Sequence, residues 1–108
     1  MLAAYLIIDK TKFPLFEYFL DRSKAEYILE ALEPLEVANG VVETPEYHFF
    51  LHAFSDRFWV CVAYIDEVVN DQLQANIGAI AKNIMNGDKI SLQQVLNATS
   101  LQDFLAVK

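Results

Sequence analysis

The sequence predicts an α+β domain: an antiparallel sheet of about five strands, with one helix on one face and two on the other. Three observations predict it. Short branched and aromatic runs dominate the first 65 residues. Apolar residues recur at helical spacing after residues 24 and 70. Both alternating sets of Phe58–Ile65 are apolar, so helices must cover that strand front and back.

The elements follow in order. Residues 2–8 (LAAYLII) and 13–20 (FPLFEYFL) flank the polar Asp9-Lys10-Thr11-Lys12 and read as an opening hairpin. Pro14 cannot donate to a ladder, so the second strand starts after it or lies on a sheet edge. Ser23-Lys24-Ala25-Glu26 has capping-box form and predicts a helix from Lys24. Ala25, Ile28, Leu29 and Leu32 make its apolar stripe, and Pro34 ends it. Asn39-Gly40 in LEVANGVVET is a turn signal, fitting two short strands or a tight bulged loop. Glu46–Phe54 and Phe58–Ile65 read as a second hairpin turning at Ser55-Asp56-Arg57.

Asp66 or Asn70 caps a longer helix through Leu73, Ile77, Ile80, Ala81, Ile84 and Met85, with Asn86-Gly87 as its stop. Ser91-Leu92-Gln93-Gln94 predicts a further helix start, and a last turn follows Ser100 through Leu101, Phe104 and Leu105. No repeat, low-complexity tract or linker interrupts the chain, and residues 1–108 read as one domain.

Composition narrows the function. The chain is 55% hydrophobic and 21% charged, which excludes disorder as its main state. Fifteen acids against eight bases give a net charge of −7, which disfavours nucleic acid and anionic lipid as partners. Cys61 is the sole cysteine. That excludes an internal disulfide framework and suits a reducing compartment, so a cytoplasmic setting is expected. The first apolar run lacks the basic flank and cleavage site of a secretory signal. The run Phe58–Ile65 falls well short of the about 20 residues a membrane helix needs.

The order of elements, ending in YHFFLHAFSDRFWVCVAYIDE followed at once by DQLQANIGAIAKNIM, resembles the longin family of membrane-traffic proteins. The opening AAYLIIDKTKFPLFEYFL is similar to that family's first hairpin. The resemblance implies a longin/profilin-like fold whose first strand lies centrally beside the last. It implies a non-enzymatic protein-interaction module in vesicle traffic or in a complex, peripheral to membranes through that complex, without cofactor. The chain departs from the family in a compressed segment before Pro45 and in lacking a following heptad helix.

The residues supply no chemistry that competes with that expectation. No G-x-S-x-G, phosphate-binding glycine loop or H-E-x-x-H occurs. His48 and His52, four apart on one strand face, stand about 13 Å apart and read as packing residues under a helix, one or both of them hydrogen-bonded, not as metal ligands. Cys61 sits mid-strand between valines, with no turn to present it as a nucleophile. No catalytic residue is assigned, and the chain is read as no enzyme.

Two surfaces remain. Phe13, Phe16, Tyr18 and Phe19 crowd one short strand, and with Leu15 they point to an edge that a protein partner or a second copy covers. Glu26, Glu30 and Glu33, with Glu36, Glu43 and Glu46, fall in an interval free of Lys and Arg from residue 25 to residue 56. A solvated helix face explains them, and so does a patch that steers a basic partner. The rival to the longin reading is an acidic inhibitor or immunity-type protein that occupies a basic active site.

Overall fold

The structure, a computed structural model, describes residues 1–105. Residues 106–108 lie outside the described residues. Five strands, β1 (Leu2–Ile8), β2 (Pro14–Phe19), β3 (Gly40–Glu43), β4 (His48–Ala53) and β5 (Trp59–Tyr64), form one sheet. Every pairing is antiparallel, in the order β2-β1-β5-β4-β3. The helices are α1 (Ala25–Leu32), α2 (Asp71–Met85) and α3 (Lys89–Leu96). Single 3-10 turns precede α1 at Arg22–Lys24 and close the described chain at Leu101–Phe104.

β1 and β5 are buried along their whole length, because they are central strands with apolar residues in both alternating sets. The side chains divide into two clusters. Tyr5, Ile7, Phe50, Val60 and Val62 pack with Leu73, Ile77 and Ile80 of α2, Val95 of α3, and Leu101 and Phe104. Leu6, Ile8, Phe49, Leu51 and Cys61 pack with Ile28 and Leu32 of α1.

Two irregularities set which face each residue takes. β1 opposes Leu2 to Tyr64 and Ala4 to Ala63, leaving Ala3 as an extra residue, so Leu2 joins the α2 cluster while Ala3 and Ala4 both join the α1 cluster. β2 opposes Pro14 to Ile8 and Phe16 to Ile7, leaving Leu15 as the extra residue. Pro14 therefore opens an edge strand, where its missing N–H disturbs no central ladder.

Turn chemistry differs from the expectation at three places. Ser23 does not cap α1: the Asp21 carboxylate accepts from the Ser23 N–H at 3.0 Å and the Ser23 hydroxyl at 2.7 Å, nucleating the 3-10 turn from which α1 starts at Ala25. Ser91 does not cap α3: Asp88, three residues earlier, does, and the helix starts at Lys89. Asp88 accepts from the Ile90 N–H, while the buried Ser91 hydroxyl donates to the same carboxylate. Asn39-Gly40 makes no hairpin turn. Asn39 Oδ1 accepts the Ala53 N–H at 2.9 Å, filling the place of a ladder partner beyond the Gly40–Leu51 pair, and Gly40 enters β3 with φ of 137°.

Elsewhere the local signals hold. Asn70 caps α2 by accepting the Leu73 N–H at 2.8 Å, and Gly87 ends it with φ of 84°. Ser100 and Asp103 form a reciprocal capping box on the last turn. That end of the chain is also clamped: the buried Asn76 amide donates to the Phe104 and Leu105 carbonyls at 2.8 and 2.9 Å, and Glu67 accepts the Leu101 N–H. The Met1 amine pairs with the same Glu67 carboxylate at 2.7 Å.

Candidate interaction surface

The surface is built on β2, an edge strand, and α1, which packs on one face of the sheet; the two share a recess lined by Pro14, Glu17, Leu29 and Leu32. Phe13 is 63% exposed and Leu15 44%, and both stand clear of the core. Phe16 is half-buried, its ring edge-on to Tyr5 at 6.4 Å. Phe19 is a correction to the expected surface. It is only 7% exposed and packs in the α1 cluster, with the Arg22 guanidinium 5.4 Å above its ring. Ordinary alternation causes the difference: Phe16 pairs with Ile7 and Tyr18 with Tyr5 on the α2 side, while Phe19, an odd number of residues from Phe16, pairs with Ala4 on the α1 side.

Glu26 and Glu30 of α1 and Glu33 just past its end are all exposed, as is Tyr27 at 61%. Tyr27, Glu30 and Ala31 face Pro34, Pro45 and Glu46 across a recess of about 450 Å³. On the other flank of α1 a smaller recess of about 210 Å³ is lined by Leu29, Leu32, Lys12, Pro14 and Glu17. The apolar edge and the acidic helix face are thus neighbours.

The hairpin turn before β2 is fixed by its own side chains. Asp9 accepts from the Thr11 N–H and hydroxyl and from the Phe13 N–H, and the Thr11 hydroxyl bond is the main cause holding its carboxyl below the usual range. Asp21 does the same at the far end of β2, with Ser23 as the cause. Lys12 adopts φ of 66° and its ammonium donates to the Glu33 carbonyl at the end of α1, tying the hairpin to the helix.

The remaining candidates are structural. His48 lies edge-on to Tyr64 at 5.4 Å, and His52 stacks on Phe50 at 5.8 Å. Both pack against aromatic rings, and among the described residues neither makes the expected side-chain hydrogen bond. Gly78 of α2 lets the helix approach His52, since a Cβ there would come within 3.1 Å of its Cδ2. Cys61 is fully buried, and burial pushes its thiol from the ordinary 9.0 up to about 12. Tyr5 is likewise raised by burial while its hydroxyl donates to the Ile77 carbonyl at 2.7 Å. Among the described residues no group of three or more His, Cys, Asp or Glu is placed to hold a metal ion, and no helix is long and apolar enough to cross a membrane.

Reasoning from the sequence singled out the acids and passed over the bases. Lys10, Lys12, Arg22 and Lys24, four of the eight Lys and Arg, bracket β2 at its two ends. The signal was present as a segmental change of sign: residues 9–24 hold four bases and three acids, and residues 25–56 hold seven acids and no Lys or Arg. Compared with the models of known protein families and with curated proteins, the chain matches none.

Proposed function

We propose that the chain is a non-enzymatic protein–protein interaction module of the longin type, acting in intracellular vesicle traffic or as a subunit of a complex. The observation that carries this reading is the strand order, with β1 central between its hairpin partner β2 and the last strand β5. The two clusters support it further, since α1 residues share one and α2 and α3 residues the other. A domain whose central strands are wholly buried meets other molecules at its rims and outer helices, and here those are the open β2 edge and the glutamates of α1. Fold alone does not assign a function, so the surface carries the test.

In this reading Phe13 and Leu15 are the apolar anchors of a protein partner or second copy, and Glu26, Glu30 and Glu33 set orientation and association rate. The module works in the cytoplasm and reaches membranes only through its complex. The test compares wild type with a Phe13→Ser/Leu15→Ser variant by affinity capture and by analytical ultracentrifugation over a concentration series. The variant loses a partner or a self-association that wild type shows, and its unfolding midpoint stays within a few degrees. A Phe19→Ala control loses about 3–5 kcal/mol of stability instead, because it empties a core site. Identical captured proteins for wild type and variant, with both monomeric throughout, would sink the reading.

One observation favours a second reading, an acidic inhibitor of a basic active site. None of the seven acids between residues 25 and 56 is in an ion pair among the described residues. A complex made by those carboxylates weakens steeply between low and high salt, whereas one made by Phe13 and Leu15 changes little.

A further inference from the structure

The open edge of β2 lies in a segment, residues 9–24, that holds four bases and three acids in an otherwise acidic chain. Leu20 N–H donates to the Ala3 carbonyl at 3.0 Å, and the register pairs Tyr18 with Tyr5 and Phe16 with Ile7. Alternation along an antiparallel ladder then turns the backbone groups of Glu17 and Phe19 away from β1, toward the side of the sheet where no strand follows. These groups are the template for one more strand.

The charges around that template are sorted by their local bonds. Asp9 and Asp21, the acids at the two ends of β2, are each folded onto their own turn through Thr11 and Phe13, or through Ser23. Of the bases beside them, Lys24 stands close enough to Asp21 to help hold its carboxyl low, and the Lys12 ammonium donates to the Glu33 carbonyl. Among the described residues no ion pair joins Lys10, Lys12, Arg22 or Lys24 to a carboxylate. Each end of the edge therefore carries two bases against one carboxylate, Asp9 or Asp21, a net positive charge, with Glu17 in the middle.

We propose that β2 accepts an acidic extended segment of a partner protein as a sixth strand, with carboxylates at both ends of that segment and an uncharged or basic residue opposite Glu17. It rests on the reading of the chain as a protein-binding module and names the partner of one of its two surfaces. Charge decides against a second copy at this edge. Antiparallel pairing of β2 with itself about its midpoint sets the Lys10-Thr11-Lys12 end of one chain beside the Arg22-Ser23-Lys24 end of the other, like charge on like. A strand with acidic ends meets opposite charge at both. The glutamates of α1, on the neighbouring flank, repel an acidic segment laid across the helix and so leave it the edge.

The experiment is a titration of the isotope-labelled full chain, followed by amide chemical shifts and amide exchange. The first probe is acetyl-Glu-Glu-Val-Thr-Lys-Val-Thr-Glu-Glu-amide, and the control is the charge-inverted acetyl-Lys-Lys-Val-Thr-Glu-Val-Thr-Lys-Lys-amide. The acidic-ended peptide gives saturable shifts at Leu15, Glu17 and Phe19 and slows exchange of the Glu17 and Phe19 amides. A Lys10→Glu/Lys24→Glu variant, altered only at exposed positions, keeps its unfolding midpoint and binds that peptide about tenfold more weakly. Glu17→Pro removes an outward N–H and abolishes the slowed exchange.

No saturation by the acidic-ended peptide up to about 1 mM overturns the proposal. So do equal or tighter binding of the lysine-ended peptide, shifts confined to surfaces away from β2, and self-association through β2 in the ultracentrifuge. In the last case, and where the lysine-ended peptide binds at β2, the interaction module stands and only its partner is wrong. A chain that also shows no difference between wild type and the Phe13→Ser/Leu15→Ser variant loses both readings.

Discussion

Cys61 shows how one residue is defined by its neighbours. It is held in β5 between Val60 and Val62 and lies in the cluster with Ile28 and Leu32 of α1, so its thiolate has no water and no cation to stabilise it. With the folded pKa raised to about 12, the stability tied to the neutral thiol is fully present below the unfolded pKa of 9.0 and is lost as pH rises from there toward 12. Tyr5, raised by burial, adds loss in the same direction. A thiol-reactive chromogenic reagent at pH 8 should leave the native chain unlabelled and react stoichiometrically once denaturant unfolds it. Fast labelling of the native chain would contradict the buried β5.

Among the elements, the 3-10 turn at Leu101–Phe104 depends most on a single side chain. Asn76 is 6% exposed and its amide supplies both carbonyls at the end of that turn. Asn76→Ala should cost about 1–3 kcal/mol, because the buried Phe104 carbonyl loses its donor. It should also speed amide exchange in residues 101–105 more than in β1. Equal protection in both segments would show that the clamp does not act. Nothing in the sequence marks Asn76: it falls at a helical position between apolar residues, and its partners are the carbonyls of residues 28 and 29 positions away.

Strands and helices were legible because their apolar periods are local properties. Caps were less so. Ser23 and Ser91 match the capping pattern, yet each became a donor to an Asp two or three residues earlier, since the carboxylate reaches the same orphan N–H groups with a full charge. The candidate surface was half legible. Phe13 and Leu15 stand where expected, but Phe19 is buried because it pairs with Ala4 on the face that α1 covers. The strand's own period says that Phe16 and Phe19 part to opposite faces, not that a helix covers both.

For the whole molecule, charge governs behaviour at low pH. Asp9, Asp21 and Asp103 all titrate below the usual carboxylate range: Asp9 mainly through the Thr11 hydroxyl, Asp21 through the Ser23 hydroxyl, Asp103 through the Thr99 N–H. Lowered folded pKa values mean that their stabilisation is present above about pH 3.9, the ordinary Asp value, and is lost as pH falls through the folded ones. Thermal unfolding should therefore give a level midpoint from pH 7 to 5 and a falling one below about pH 4. In Asp103→Asn the midpoint should drop near neutrality and change less with acid. A midpoint indifferent to acid would remove these turns from the account.

The pairing of β1 with β5 also sets how quickly the chain reaches its fold. β1–β2, β3–β4 and β4–β5 are hairpins closed by short turns, so each zips locally; the seam between the first and last strands joins residues more than 50 positions apart, such as Leu6 and Cys61. Two preformed ribbons must therefore meet along their least soluble sides, and that encounter, with its loop-closure entropy, limits the rate. Until it happens, each ribbon carries an uncovered apolar margin. Dilution and prompt synthesis of the second ribbon favour productive closure over aggregation.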